Sequence, residues 1–460
     1  MHKTKITIYF AIIFFGFFGG AKFAKAAEYY VSPTGSAVWS QATNINTPTN
    51  WQTANDNAVA DDVVYFRGGV YDVGTLGANW EYPNMNPANS GSIGHPIMFI
   101  AYPDEVPVIT GSVNSSSRAA MFGCGHRNYI TWDGFSATMI ALITGEGQTV
   151  GFWYSDHCII KNSTLTGIDH SGSTTNYSLV RTQESSYSTI ENNIFQNLGG
   201  DGTSVNTTGI WMFVSSNITI KNNNFIGIRG AIYSKNSPNV ATISHNFIRG
   251  TTGVYACSRG IRLASQTPII NSDVSISQNV VVDCSSGIGL NGGDGNFTIV
   301  NAKVYNNTIY GSGSNAGIES DDYSRNAEIY NNIIMNTSGS QLRYYMGESM
   351  PTISDYNDFY RASGSLAWNL DYATNYSSIA TWRAVTGFDT NSITANPLFV
   401  NAGGSTAADY KRTSYPADGR GGAYSSVMGA YITGNEVIGY VAPTSMDTTP
   451  PSAPTGLAVM

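Results

Sequence analysis

A short phrase returns along the middle of the chain and constrains its fold more than any other feature: a β-branched residue followed two places later by an Asn-rich pair. It reads Ile160-Lys161-Asn162-Ser163, Ile190-Glu191-Asn192-Asn193, Ile220-Lys221-Asn222-Asn223, Ile243-Ser244-His245-Asn246, Ile276-Ser277-Gln278-Asn279, Val304-Tyr305-Asn306-Asn307 and Ile329-Tyr330-Asn331-Asn332. Successive copies lie 23 to 33 residues apart, with no helical spacing of apolar residues between them. A period in this range, built on short β-branched runs, predicts a β-solenoid in which each repeat is one coil. One coil cannot bury its own apolar positions, so neighbours stack about 4.8 Å apart and their inward residues merge into a single core. Asn side chains stacked at a corner then hydrogen-bond along the ladder. Gly230, Gly260, Gly287 and Gly317 recur just before strands, where a tight corner is expected to need a residue without Cβ.

Residues 1–27 carry Lys3 and Lys5, then an apolar run from Ile6 to Phe18, then Ala24-Lys25-Ala26. This order predicts a secretory signal, and so a secreted or cell-surface protein. The run is too short to span a bilayer, and no later stretch reaches about 18 apolar residues. Removing the signal leaves 19 basic residues against 31 acidic ones, a net charge of −12. Such a surface repels nucleic acid and anionic membranes, and it disfavours an acidic glycan unless basic residues gather locally. Few charged residues, many Asn, Ser, Thr and Gly, 28 Tyr and 8 Trp describe a β-rich extracellular protein, expected to be monomeric, with a wet polar surface. Cys257 and Cys284 each precede a strand-opening Ile (Ile261, Ile288) by four places, so they fall on adjacent coils. A disulfide and a pair of buried thiols are both open there. Cys124 and Cys158 show no such register.

The segment Glu28-Tyr29-Tyr30-Val31-Ser32-Pro33-Thr34-Gly35-Ser36, an Ala-rich stretch from Trp51 to Ala60 that suits a short amphipathic helix, and Asp61-Asp62-Val63-Val64-Tyr65-Phe66-Arg67-Gly68-Gly69-Val70-Tyr71 are expected to cover the first coil. This opening resembles that of secreted right-handed parallel β-helix proteins, including polysaccharide lyases of the pectate-lyase-like superfamily. Pro96–Pro103 and Val108–Ser112 look like that family's first full coil. The resemblance covers roughly residues 28–435 and implies an all-β right-handed parallel β-helix with an N-terminal cap. Regular coils are expected to about residue 340, with Ser354-Asp355-Tyr356-Asn357 and Asn396-Pro397-Leu398-Phe399-Val400 in irregular final turns. Residues 436–460 are expected to be a linker, in which Asp447–Leu457 resembles the first strand of a fibronectin type III module.

Strands alternate inward and outward, so the residues one and three places after each inward Ile, or its equivalent, share one outer face. Down the coils these pairs are Trp153 and Ser155, Arg181 and Gln183, Trp211 and Phe213, Tyr233 and Lys235, Arg262 and Ala264, Gly289 and Asn291, Glu319 and Asp321, Arg343 and Tyr345. If solvent-facing, a stripe of aromatic rings suits sugar rings, which are apolar on their C–H faces and hydrogen-bond at their rims. The plainer role of such rings is packing between neighbouring coils.

Lys235-Asn236-Ser237-Pro238-Asn239 and, one coil on, Arg259-Gly260-Ile261-Arg262-Leu263 resemble the family that includes alginate lyases and chondroitinase B. The resemblance implies cleavage of a uronate glycan by β-elimination, with Lys235 as base and Arg262 as acid or charge clamp. The chemistry agrees: a guanidinium neutralises the substrate carboxylate, a nearby positive charge favours a neutral amine, and Tyr233 points the same way to protonate the leaving oxygen. Arg181, Gln183, Trp211, Phe213, Asn291, Glu319, Asp321, Arg343 and Tyr345 would bind substrate. Calcium-dependent members of that family have acidic ligands five and seven residues before the lysine, where this chain has Gly230 and Ile228. A hard cation needs several oxygens, so no calcium is expected at that position; no cofactor is predicted, and calcium elsewhere stays open. The alternatives are an inverting glycoside hydrolase using Glu319 and Asp321, with Asp322 beside them, and a non-catalytic glycan-binding or adhesion protein. His126, His157 and His170 lack metal-ligand spacing, and His245 is expected in the Asn ladder.

Overall fold

The computed structural model describes residues 26–76, 81–113, 119–139, 146–173, 175–201, 207–237, 241–264, 271–291, 299–321, 324–345, 350–371, 374–422 and 424–440. Most of the expected signal, the fibronectin-like segment, Pro238, Asn239 and Asp322 lie outside the described residues.

Three parallel sheets run along the molecule, and from Ile97–Ala101 onward each coil gives one strand to each; a fourth sheet joins Asn271–Ser272, Ile299–Val300 and Ser324–Arg325. Among the described residues the first sheet has 12 strands, from Glu28–Val31 to Ile353–Asp355. The second has 11, from Gly69–Leu76 to Asp358–Tyr360, and the third has 11, from Ala119–Gly125 to Trp368–Leu370 and its antiparallel partner Thr374–Tyr376. The repeated phrase is the register of the first sheet. Ile160, Ile190, Ile220, Ile243, Ile276, Val304 and Ile329 are successive cross-strand partners, and all are fully buried. Coils continue regularly to residue 360, beyond the expected end near 340, because Ile353–Asp355 and Asp358–Tyr360 pair in register with the coil before them.

The Asn-rich pair divides its work. Its first residue, Asn162, Asn192, Asn222, His245, Gln278, Asn306 or Asn331, turns the corner with φ between 52° and 58°, a left-handed conformation that Asn tolerates better than most residues. Its second residue is the buried ladder. Asn223 Nδ2 donates to Asn246 Oδ1 on the next coil at 3.0 Å and to the Ile190 carbonyl on the previous one at 2.9 Å, and this pattern continues from Asn193 to Asn357. His245 therefore sits at the corner, and the ladder residue of its coil is Asn246. A shorter serine ladder, Ser155, Ser185, Ser215 and Ser237, lines another corner, each backbone N–H donating to the next hydroxyl.

The recurrent glycines have a different cause from the one expected. Gly260, Gly287 and Gly317 stack in one row at negative φ, where the third sheet closes on the second. A Cβ on Gly260 would lie 2.5 Å from the Gly287 carbonyl oxygen and 2.7 Å from Val281 Cγ1. Space, not corner conformation, demands glycine. Gly230 falls outside that row and pairs with Arg259.

Both ends are closed. The helix Trp51–Asn57, capped by Asn50 accepting from the Thr53 N–H at 2.8 Å, buries Ala54 at the first coil. At the other end, Trp382 of the helix Ile379–Thr386 is fully buried and donates to Asp389, which also accepts from Asn357 and so terminates the ladder. The chain then returns along the second sheet, where Tyr410, Ala430, Tyr431 and Ile438 pack with Phe247, Val280 and Val282. Corner residues Asn306 and Asn331 donate to carbonyls of this return segment. Cys257 and Cys284 form a disulfide between adjacent coils, with Cα atoms 4.6 Å apart. Cys124 and Cys158, unrelated in register, meet as buried thiols: burial and the Cys158 thiol push Cys124 up. No helix among the described residues is long and apolar enough to cross a membrane.

Candidate functional site

The outer face of the third sheet gathers the expected residues in two rows. Gly151, Arg181, Trp211, Tyr233, Arg262, Gly289, Glu319 and Arg343 are successive cross-strand partners in the first. The second is Trp153, Gln183, Phe213, Lys235, Ala264 and Asn291, and Asp321 and Tyr345 follow the same alternation at the strand ends. The coil that opens the stripe was expected to contribute Trp153 and Ser155. Its register is two residues earlier, so Gly151 and Trp153 belong to the rows and Ser155 to the serine ladder.

The aromatic stripe is not an open platform. Trp153, Arg181, Gln183, Trp211, Tyr233, Asn291 and Glu319 are buried, while Phe213, Lys235, Arg262, Asp321, Arg343 and Tyr345 are half-buried. The cause is packing along the row: adjacent coils bring side chains close enough to cover one another. The Arg181 guanidinium lies 4.3 Å from the Trp211 ring centroid, Trp211 stacks on Tyr233 at 6.1 Å, and the Arg262 guanidinium sits 5.5 Å from the Tyr233 ring.

Charge is distributed unevenly along this face. At one end Arg181 pairs with Glu146 at 2.5 Å. At the other, Glu319 pairs with Arg343 at 3.4 Å, and the Asn291 amide donates to both Glu319 (3.1 Å) and Asp321 (3.0 Å). These acids are held in a hydrogen-bonded network. Between the two ends lie Lys235, Arg262, Arg259 and Arg229, none of which has a carboxylate partner in an ion pair among the described residues. In a chain of net charge −8, this concentrates positive potential at the middle of the face.

Tyr233 and Arg262 are direct cross-strand neighbours, and Lys235 is diagonal to Arg262 because its own partner is Ala264. The small Ala264 leaves room beside the lysine. Burial pushes the Tyr233 phenol above its usual value, against the opposing charges of Arg262 and Arg259. It therefore keeps its proton at neutral pH and is available as a donor. Arg229, Arg259 and Glu146 were missed from sequence. Arg259 was legible in principle, three residues before Arg262 in the same strand-opening phrase, whereas Arg229 and Glu146 precede strands with no repeated pattern to mark them. No group of three or more His, Cys, Asp or Glu side chains among the described residues is placed to hold a metal ion.

A family model described as right handed beta helix region matches residues 148–334. Among solved structures, pectate lyase Pel9A is similar at 16% identity and a TM-score of 0.53, covering 88% of this chain and 96% of that one. A PL6 family polysaccharide lyase from Pseudopedobacter saltans is similar at 14% identity and a TM-score of 0.43, covering 75% and 89%. A GH136 lacto-N-biosidase from Eubacterium ramulus follows at 10% identity and 0.47, covering 80% and 67%. A search of curated proteins found no match. The stacked parallel sheets, the family match and the likeness to the pectate lyase give this chain the fold of a right-handed parallel β-helix.

Proposed function

We propose that this protein acts on polysaccharide, and that it cleaves a uronate-containing glycan by β-elimination on the third-sheet face. The observation that carries the reading is the cationic centre around Tyr233: Lys235 and Arg262 flank a protonated phenol with no carboxylate within ion-pair distance among the described residues. The shared fold with a pectate lyase agrees with it.

In this reading Arg262 holds the substrate carboxylate and stabilises the negative charge that develops when the adjacent carbon loses its proton. Lys235, as the free amine, takes that proton. The electron pair forms the new carbon–carbon double bond, the glycosidic C–O bond breaks, and Tyr233 gives its proton to the leaving oxygen. Trp211 and Phe213 wall the site, buried Gln183 supports that wall from the coil before, and half-buried Tyr345 lies farther along the second row for a neighbouring sugar. No metal-borne step is assigned. Export to the cell exterior remains part of this proposal, on the strength of the N-terminal segment.

The hydrolase alternative is less well supported. Glu319 and Asp321 both accept from one nitrogen of Asn291, at 3.1 and 3.0 Å, and Glu319 is also paired with Arg343, so both carboxylates are already engaged within the protein and held together rather than opposed across a gap for water. Ultraviolet absorbance of the unsaturated uronyl product, followed on alginate, pectate and chondroitin with and without chelator, tests the proposal. A rise on one glycan supports elimination and names its class. A flat trace accompanied by release of reducing ends would replace it with hydrolysis, and a flat trace without them would leave glycan binding.

A further inference from the structure

Beside Tyr233 the face dips into a recess where the third sheet begins, lined among others by Arg229, Arg259, Arg262, Thr207 and Thr208. Its floor is open because Gly230 stands between Thr208 and Arg259 in the cross-strand row. About 20 Å3 is free for the centre of a water-sized group, enough for one or two oxygens but not for a sugar ring.

The lining is made of donors in want of an acceptor. Among the described residues the Thr207 and Thr208 hydroxyls and Arg262 Nε are buried without a hydrogen-bond partner, whereas buried polar groups in folded proteins are normally satisfied. Arg229 spends one N–H on the Gly200 carbonyl at 2.9 Å, and none of the three guanidinium groups has a carboxylate within ion-pair distance among the described residues, Glu319 reaching Arg259 only as a longer-range charge. Arg259 is exposed as a residue, but desolvation of its guanidinium, and then the charge of Arg262, hold its pKa below the usual value against the opposing charges of Tyr233 and Glu319. Three cations crowded together with unsatisfied hydroxyls are stabilised by one group: an oxyanion, which accepts several charge-assisted hydrogen bonds at once.

We propose that this recess is a binding site for an oxyanion substituent of the glycan, a sulfate ester or a second uronate carboxylate, carried by a sugar next to the one held at Lys235. The proposal rests on the polysaccharide reading only for the identity of the carrier; the oxyanion site stands on the recess itself. It makes the preferred substrate doubly anionic within one or two sugar units. That resolves the conflict between an acidic protein and an acidic ligand, because the repulsion of the surface is overcome locally by Arg229, Arg259 and Arg262.

Calorimetric titration of the full chain with inorganic sulfate, and separately with acetate, at constant ionic strength set by chloride, tests the site without requiring turnover. Saturable binding of one anion is expected, weakened at least tenfold in Arg259→Gln and also in the near-isosteric Thr208→Val. Thermal midpoints of both variants show whether they remain folded. Tighter binding of sulfate assigns a sulfated sugar, and tighter binding of acetate assigns a second uronate. Absence of saturable binding for both anions, or equal binding by wild type and both folded variants, would overturn the proposal. Because no glycan is cleaved in this experiment, a lack of lyase activity would leave its result intact.

Discussion

The Arg262 guanidinium lies 5.5 Å from the centre of the Tyr233 ring, on the cross-strand neighbour one coil away. The pair joins a positive charge to a phenol whose proton is held by burial. With Lys235 two residues beyond Tyr233 on the same strand face, a base, an acid and a carboxylate clamp share a patch two coils wide.

If elimination uses these groups, Lys235→Met and Tyr233→Phe should each lower kcat on the best glycan by about 100-fold or more, with KM changing only a few-fold. Arg262→Gln should raise KM as well, since it removes contact with the substrate carboxylate. Steady-state kinetics on the panel-selected glycan provides the check, and wild-type turnover by Lys235→Met would refute the assignment of the base.

The two residues of each Asn pair should respond in opposite ways. Asn223→Ala strips the amide that links three coils and leaves buried partners unsatisfied, at a cost of about 2–4 kcal/mol. Asn222→Gly keeps the turn, because glycine adopts its φ of 55° freely, and should change stability by about 0.5 kcal/mol or less. Thermal midpoints of the two variants decide; equal losses would mean that the corner and ladder roles are not separate.

Thiol titration after denaturation should find two free thiols, Cys124 and Cys158, and four after reduction. Four before reduction would show that Cys257 and Cys284 are not bonded in the protein as isolated.

Burial pushes Asp358 up to about 7: one oxygen accepts the Ala395 N–H, and the other is buried without a partner among the described residues. The folded chain thus holds this proton more tightly than the unfolded chain does. The resulting stability is complete below the unfolded carboxylate value and is lost as pH rises through about 7. Asp358→Asn removes the titration, so its thermal midpoint relative to wild type should be higher at about pH 8 than at about pH 5. Parallel midpoints for the two proteins across that interval would contradict the raised value.

Much of the scaffold was legible because a solenoid repeats its constraints. A buried β-branched residue and a corner pair recur once per coil, and the stacking of Ile160 on Ile190 and Ile220 follows from that repetition. The division of labour within the Asn pair was not legible, since both residues are Asn in several coils and only backbone φ separates them. The glycine row was seen but misattributed: its reason is the approach of Val281, Ile309 and Ile334 from the second sheet, and those residues lie in other parts of the sequence. At the site, alternation correctly placed Tyr233, Lys235 and Arg262 on one face, but it could not tell that Trp211 and Arg181 would cover each other.

By itself the sequence determined that this chain coils, with which residues inward and with what at its corners, because periodic burial of apolar side chains needs no long-range information. The tertiary structure alone decided which residues stand beside one another on the outer face. Coils differ in length, from 23 to 33 residues between phrases, so position in the chain does not set the row; the parallel hydrogen-bond register does. That register placed Trp153 rather than Ser155 beside Gln183, and brought Arg229, Arg259 and Arg262 to one recess around the two unsatisfied hydroxyls of Thr207 and Thr208.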